Sequence, residues 1–153
     1  FLLVELFKKI SYLSDVHLII VGSGNLLTRL RKKAGFLPNL HILGYVSDEE
    51  LPLFWNAANA FISLSCYEGF PLTVLEAASY GLPPILSSIP SHRWILESRN
   101  IPGTLVDSRK PPPEKVLDFI KNYRRTKDTS TYRFKEDYLR RTNIHEYLSL
   151  LQA

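Results

Sequence analysis

The chain has 153 residues, 45% of them apolar and 22% charged, with a net charge of +4. That length suits one domain with a real core, and the composition excludes an intrinsically disordered segment. A single cysteine, Cys66, excludes an internal disulfide framework and fits a reducing compartment.

The opening FLLVELFKKI is too short and too charged to span a bilayer, and no apolar run of about 20 residues follows it. The start at Phe1 and the lack of any Met read as part of a longer chain. Leu3, Leu6, Phe7, Ile10 and Leu13 recur at helical spacing, which predicts an amphipathic helix. HLIIVGSGN then reads as a short buried strand stopped by glycines. A helix is expected from Asn25 to Ala34, followed by a second strand in NLHILGYV. Ser47 and Glu50 form a capping-box pattern, but Pro52 lies past the first turn of a helix started there. Either that helix begins later or its first turn is distorted.

NAFISLS reads as a third strand, and Pro71 to Tyr80 as a helix closed by Gly81. PPILSS is the fourth strand, Ser91 to Glu97 a helical stretch and GTLVD the fifth strand. Residues 109–113 read as a loop whose last proline suits the first position of a helix running on from Glu114. Residues 134–151 are expected to form a C-terminal helix. Apolar strands alternating with helices predict an α/β fold, a Rossmann-like parallel sheet with helices on both faces, in a single domain spanning 1–153. Ligands in such folds bind outside the carboxyl ends of the strands.

Much of the positive charge lies late in the chain, at Lys121, Arg124, Arg125, Lys127, Arg133, Lys135, Arg140 and Arg141. It reads as a solvated helical surface, with attraction to phosphates or to an anionic membrane face as the alternative. No nucleic-acid-reading module is recognisable, so no nucleic acid partner is expected.

The stretch CYEGFPLTVLEAASYGLPP carries two glutamates, Glu68 and Glu76, eight positions apart. With Pro71 at the first helical position, the N–H groups of Leu72 and Thr73 have no partner inside the helix and form an anion site. The Thr73 hydroxyl can add a donor. Glu76 stands one turn on, roughly 5–6 Å along the axis, about the step from a nucleotide's phosphates to its ribose. Glu68 lies on the other side of the helix start, where it can accept hydroxyls from a sugar beyond the phosphates. Gly69 permits close backbone approach. The competing reading makes Glu68 a solvated loop residue and Glu76 part of an exposed helical face. Leu72, Val74, Leu75, Ala77 and Ala78 surround Glu76 in sequence, which favours burial and a ligand partner.

EGFPLTVLEAASYGLPPILSS resembles the donor-binding signature of retaining glycosyltransferases of the GT-B fold, the large family 4 type. LIIVGSGN and HILGYVSDEELPLFWNAANAFISLS are similar to that family's upstream segments, so the likeness runs in order from about Leu3 to Val106. The resemblance implies the C-terminal, donor-binding half of such an enzyme, taking a nucleotide-diphosphate sugar as donor substrate with no further cofactor and no metal. It implies that Glu68 faces the donor sugar in an orienting and electrostatic role, with Gly69, Phe70 and Pro71 around it. Leu72 and Thr73 would meet the diphosphate, Glu76 the ribose, Tyr45 and Val46 the base, and Gly22, Ser23 and Gly24 the phosphates. Retention would follow from same-face attack without a protein nucleophile. The family's basic Arg and Lys before its first helix are absent here, as is its acceptor-binding N-terminal domain. Trp94 and Ile95 stand where the family often carries a Glu.

The acceptor, whether sugar, lipid or protein, stays open. The expected location is cytoplasmic, with peripheral contact at the membrane surface as an option. His17, His41, His92 and His145 show no ligand spacing and read as surface or strand-edge residues. Three rival readings stand beside the transferase. A nicotinamide-dependent dehydrogenase is disfavoured because GSGNLL lacks the third glycine of that fingerprint. A non-catalytic nucleotide-sugar-binding module and a sugar-nucleotide epimerase of the same architecture are the others.

Overall fold

A computed structural model describes residues 1–12 and 15–126. The expected helix at 134–151 and most of the late basic cluster lie outside the described residues. In chain order the elements are α1 (Leu2–Ile10), β1 (Leu18–Val21), α2 (Leu27–Ala34), β2 (Leu40–Gly44), α3 (Leu51–Ala57), β3 (Phe61–Ser63), α4 (Leu72–Ser79), β4 (Pro84–Ser87), α5 (Pro90–Ser98), β5 (Thr104–Val106) and α6 (Pro113–Thr126).

Strand pairing is parallel throughout. β1 pairs with β2, and β4 lies between β3 and β5. The ladder hydrogen bonds therefore fall into two sets, but one core joins them. Leu18 and Leu40 pack with Ile62, Ile85 and Val106 against Leu6, Phe7 and Ile10 of α1 and Val116 of α6. The opposite face of the three-stranded sheet buries Leu86 with Val74 of α4 and Ile95 of α5, and Phe61 and Leu105 pack there too. Neighbouring residues on β4, Ile85 and Leu86, thus enter different cores, as the alternation of a strand requires. Helices cover both faces, giving the expected Rossmann-like α/β layering. Each fully buried branched side chain here contributes about 1.5–3 kcal/mol.

Local chemistry explains the element boundaries. Ser47 and Glu50 do form the reciprocal capping contacts, each 3.3 Å. They close a turn, and the α-helix starts afterwards at Leu51, so Pro52 falls within the first turn where its missing N–H removes nothing. The later start is the alternative realised. Helix α2 likewise begins at Leu27, two residues later than expected, after a turn in which the Leu27 N–H reaches the Gly24 carbonyl. Gly81 ends α4 in the left-handed region at φ 71°, while the Leu82 N–H bonds the Ala77 carbonyl. The loop before α6 stops at Pro112, and Pro113 opens the helix.

Candidate functional site

Three loops leave the carboxyl ends of β1 to β3 and, with the start of α4, carry the expected site residues. After β1, Gly22, Ser23 and Gly24 are exposed. Gly22 has φ 134°, a value that L side chains rarely adopt, and its N–H donates to the Gly44 carbonyl at 2.7 Å. After β2, Tyr45 projects into solvent with 76% of its surface exposed, and Val46 is half-buried. No hydrogen bond or ion pair among the described residues links these two loops to the segment from Glu68 to Thr73.

The third loop departs from the sequence expectation in several ways. Pro71 is buried and occupies the N-cap, not the first helical position, and α4 starts at Leu72 without a side-chain cap. The Leu72 N–H donates to the Phe70 carbonyl at 3.0 Å and so is not free for an anion. The Thr73 N–H has no partner among the described residues, so of the expected anion donors only that group and its exposed hydroxyl are left. The Leu72 side chain is 69% exposed. Glu76 is exposed, not buried. The helix buries Val74 and Ala77, three apart, and Glu76 falls off that stripe despite its apolar neighbours in sequence.

Glu68 is half-buried and held by neighbours. Ser63 Oγ, at the end of β3, donates to Glu68 Oε1 at 3.4 Å and lies 3.1 Å from Ser65 Oγ. The other carboxylate oxygen, Oε2, is 3.5 Å from His92 Nε2. His92 sits in the first turn of α5 and is fully buried, which corrects the expectation of a surface histidine. Its Nδ1 lies 3.0 Å from the Ser87 carbonyl and 3.1 Å from Ser87 Oγ, and that hydroxyl in turn donates to the Ser65 carbonyl. The ends of β3 and β4 and the start of α5 are therefore joined by a chain of polar contacts that ends on Glu68.

Trp94, from the same helix, reaches across to Phe70, with ring centroids 6.0 Å apart, and both rings are about half exposed. From sequence, His92 reads as a surface or strand-edge residue and Trp94 as standing where the family often carries a Glu, and neither is assigned a contact. The signal for His92 was present in the spacing of Ile89, His92 and Ile95, one face of a helix with two buried apolar members.

A fourth polar feature lies beyond β5. Asp107 Oδ1 accepts from the N–H groups of Arg109 at 2.6 Å and Lys110 at 3.1 Å. Those two bonds, Arg109 first, hold the Asp107 carboxyl below its ordinary range. Asp107, Ser88, Ser108 and Arg109 line a shallow depression that does not include Glu68. Among the described residues no group of three or more His, Cys, Asp or Glu is placed to hold a metal, and no helix is long and apolar enough to cross a membrane.

Residues 1–135 match the family of glycosyl transferases group 1. The chain belongs to that family. Its relatives include the GDP-mannose:cellobiosyl-diphosphopolyprenol alpha-mannosyltransferase of Komagataeibacter xylinus, 32% identical over 152 residues, which are 93% of this chain and 38% of that protein. The UDP-Gal:alpha-D-GlcNAc-diphosphoundecaprenol alpha-1,3-galactosyltransferase of Escherichia coli is 34% identical over 88 residues, 55% of this chain and 22% of that protein. The O-antigen chain mannosyltransferase B of Escherichia coli is 48% identical over a shorter stretch of 52 residues, 34% of this chain and 14% of that protein. The chain thus spans well under half the length of these curated relatives.

Proposed function

We propose that this chain is the donor-binding half of a retaining GT-B glycosyltransferase of the family 4 type. It would take a nucleotide-diphosphate sugar and present it to an acceptor bound by a partner domain. The observation that carries this reading is the placement of Glu68. Its carboxylate lies against Ser63 and His92 at the carboxyl end of the sheet, four residues before an uncapped helix start.

In the proposed arrangement the diphosphate lies at the Thr73 N–H and hydroxyl, with the glycine loop Gly22–Gly24 nearby. The sugar would reach back to Glu68. The loop residues Gly69, Phe70 and Pro71 would border it, Tyr45 and Val46 would flank the base, and Glu76 would hold the ribose. The exposure of Glu76 suits a ligand that binds over the helix and not within it.

Transfer breaks the bond between the anomeric carbon and a phosphate oxygen. Negative charge builds on the diphosphate while the sugar gains oxocarbenium character. Donors fixed at the helix start act where the negative charge develops. Cationic groups from elsewhere in a full-length enzyme would supply the remaining stabilisation. Glu68 orients the sugar. With Glu76 assigned to the ribose there is no carboxyl pair at the roughly 5–5.5 Å spacing of retaining glycosidases, so same-face attack is the mechanism proposed.

The relatives' printed names give GDP-mannose and UDP-galactose as donors and polyprenyl-diphosphate-linked sugars as acceptors. A lipid-linked acceptor met at the cytoplasmic membrane surface is accordingly proposed for the parent enzyme.

A thermal-shift screen with UDP-, GDP- and ADP-sugars tests donor binding. One nucleotide series is expected to raise the melting temperature, and Glu76→Ala to lose most of the rise. No shift with any donor, on a folded chain, refutes the reading.

A further inference from the structure

The proposed function leaves one buried group unused, the imidazole of His92. It has no exposed surface, and its Nε2 makes no hydrogen bond among the described residues, although Glu68 Oε2 lies 3.5 Å away. A buried polar nitrogen without a partner costs free energy, so its position calls for a reason.

The surroundings fix the protons. The Ser87 carbonyl, 3.0 Å from Nδ1, can only accept. The Ser87 hydroxyl spends its one proton on the Ser65 carbonyl, so towards Nδ1, at 3.1 Å, it too accepts. Nδ1 therefore carries a hydrogen shared between two acceptors. Nε2 is left facing a carboxylate oxygen. At 3.5 Å the two atoms fall just outside a normal hydrogen bond, and a small shift of the Glu68 loop closes the contact.

We propose that His92 is a positioning residue for Glu68, acting through Nε2 to fix the carboxyl group that faces the donor sugar. The inference rests on the donor-site reading given above. Ser63 occupies one lone pair of Oε1, and His92 Nε2 stands beside Oε2. Each oxygen then keeps an accepting direction free, and the side chain is part-exposed. That pattern fits two neighbouring hydroxyls of a sugar ring. The tethered carboxyl presents oriented acceptors, so its contribution is selection and alignment of the sugar.

The order of assembly supports this role. Ser87 is fully buried on β4, the strand shared by both cores, and His92 lies in the adjoining helix beside Ile95, also fully buried. Glu68 belongs to a loop with exposed neighbours on both sides. The rigid partner is the histidine and the adjustable one is the glutamate, which is the relation a positioning residue requires.

Two measurements on the full chain decide the matter. The first is nitrogen NMR of the imidazole in the ligand-free wild type and in Glu68→Gln. Nδ1 is expected to be protonated in both, and the Nε2 resonance to move on substitution, because its partner changes from a carboxyl to an amide. An Nε2 resonance indifferent to Glu68→Gln overturns the proposal whatever the binding results.

The second is calorimetric titration with UDP-, GDP- and ADP-sugars and with the matching nucleoside diphosphates. His92→Asn keeps a nitrogen near Nδ1 and removes Nε2. It is expected to weaken sugar-nucleotide binding about tenfold while changing nucleoside-diphosphate binding by less than about twofold. In a Glu68→Gln background it should add little to the loss already present. Equal losses for both ligand types, or additive losses in the double variant, would make His92 merely structural and overturn the proposal. His92→Gln, whose amide reaches the Nε2 position, is expected to restore part of the sugar-nucleotide affinity. Absence of binding by every nucleotide refutes the donor site itself, and with it the sugar-facing role. The NMR result still reports separately whether the two side chains are coupled.

Discussion

Ser87→Ala isolates the node on which the polar chain turns. The wild-type hydroxyl is fully buried, donates to the Ser65 carbonyl and accepts from His92 Nδ1 at 3.1 Å. The substitution keeps Cβ and leaves almost no cavity, so packing changes little. His92 Nδ1 retains the Ser87 backbone carbonyl at 3.0 Å and stays satisfied. The Ser65 carbonyl loses its side-chain donor. The expected cost is about 1–3 kcal/mol, the loss of one hydrogen bond plus the desolvation of its abandoned acceptor. In a domain of this size that lowers the melting temperature by roughly 3–10 °C. Urea unfolding followed by circular dichroism measures it, with an unchanged m-value showing that the midpoint shift is a stability change. Ser88→Ala is the control. Its hydroxyl is exposed and accepts only from Arg93, at 3.2 Å, so its effect should stay within about 0.5 kcal/mol. A Ser87→Ala variant as stable as Ser88→Ala would show that the buried chain of contacts does not hold the strand ends together.

Gly103→Ala should destabilise by about 1–3 kcal/mol in the same assay, because a Cβ there would meet the Pro84 carbonyl oxygen at 2.7 Å and backbone must move. Ile95→Ala is expected to lose about 2–5 kcal/mol from the second core, whereas Trp94→Ala, one residue away and half exposed, should lose far less. His41 is held below its ordinary pKa of 6.5, first by partial burial and then by His17, whose Nδ1 lies 3.1 Å from His41 Nε2. The unfolded chain takes up that proton more readily than the folded one. Stability present above about pH 6.5 should therefore fall as the pH drops through and below that value. Urea midpoints at about pH 8 and pH 5.5 check this, and His41→Gln should flatten the slope.

The fold was legible because its signals are periodic. Leu6, Phe7 and Ile10 lie on the buried stripe of α1 that their spacing predicts, and all five strands occur within the apolar runs that announced them. The site was legible in part. The placement of Glu68 at a strand end followed from topology, but its contact with His92 did not, because that residue reaches it only through the parallel pairing of β3 with β4 and the packing of α5. Glu76 shows where reading by neighbourhood fails. Composition made its surroundings apolar, whereas the helix sorts side chains by angle, and Val74 and Ala77 took the buried stripe without it. At the helix start, the sequence could place a proline but not its backbone. With ψ at 72°, Pro71 turns the Leu72 N–H back upon Phe70 and removes a donor that counting alone assigns to the ligand.

Strand β4 lends Ile85 to one core and Leu86 to the other, then ends at Ser87. A local opening that peels either layer of helices from the sheet must loosen the residue to which His92 is fastened. The carboxyl group at the loop is thus as well placed as the whole sheet is closed, and drift on one side of the molecule would blur the other.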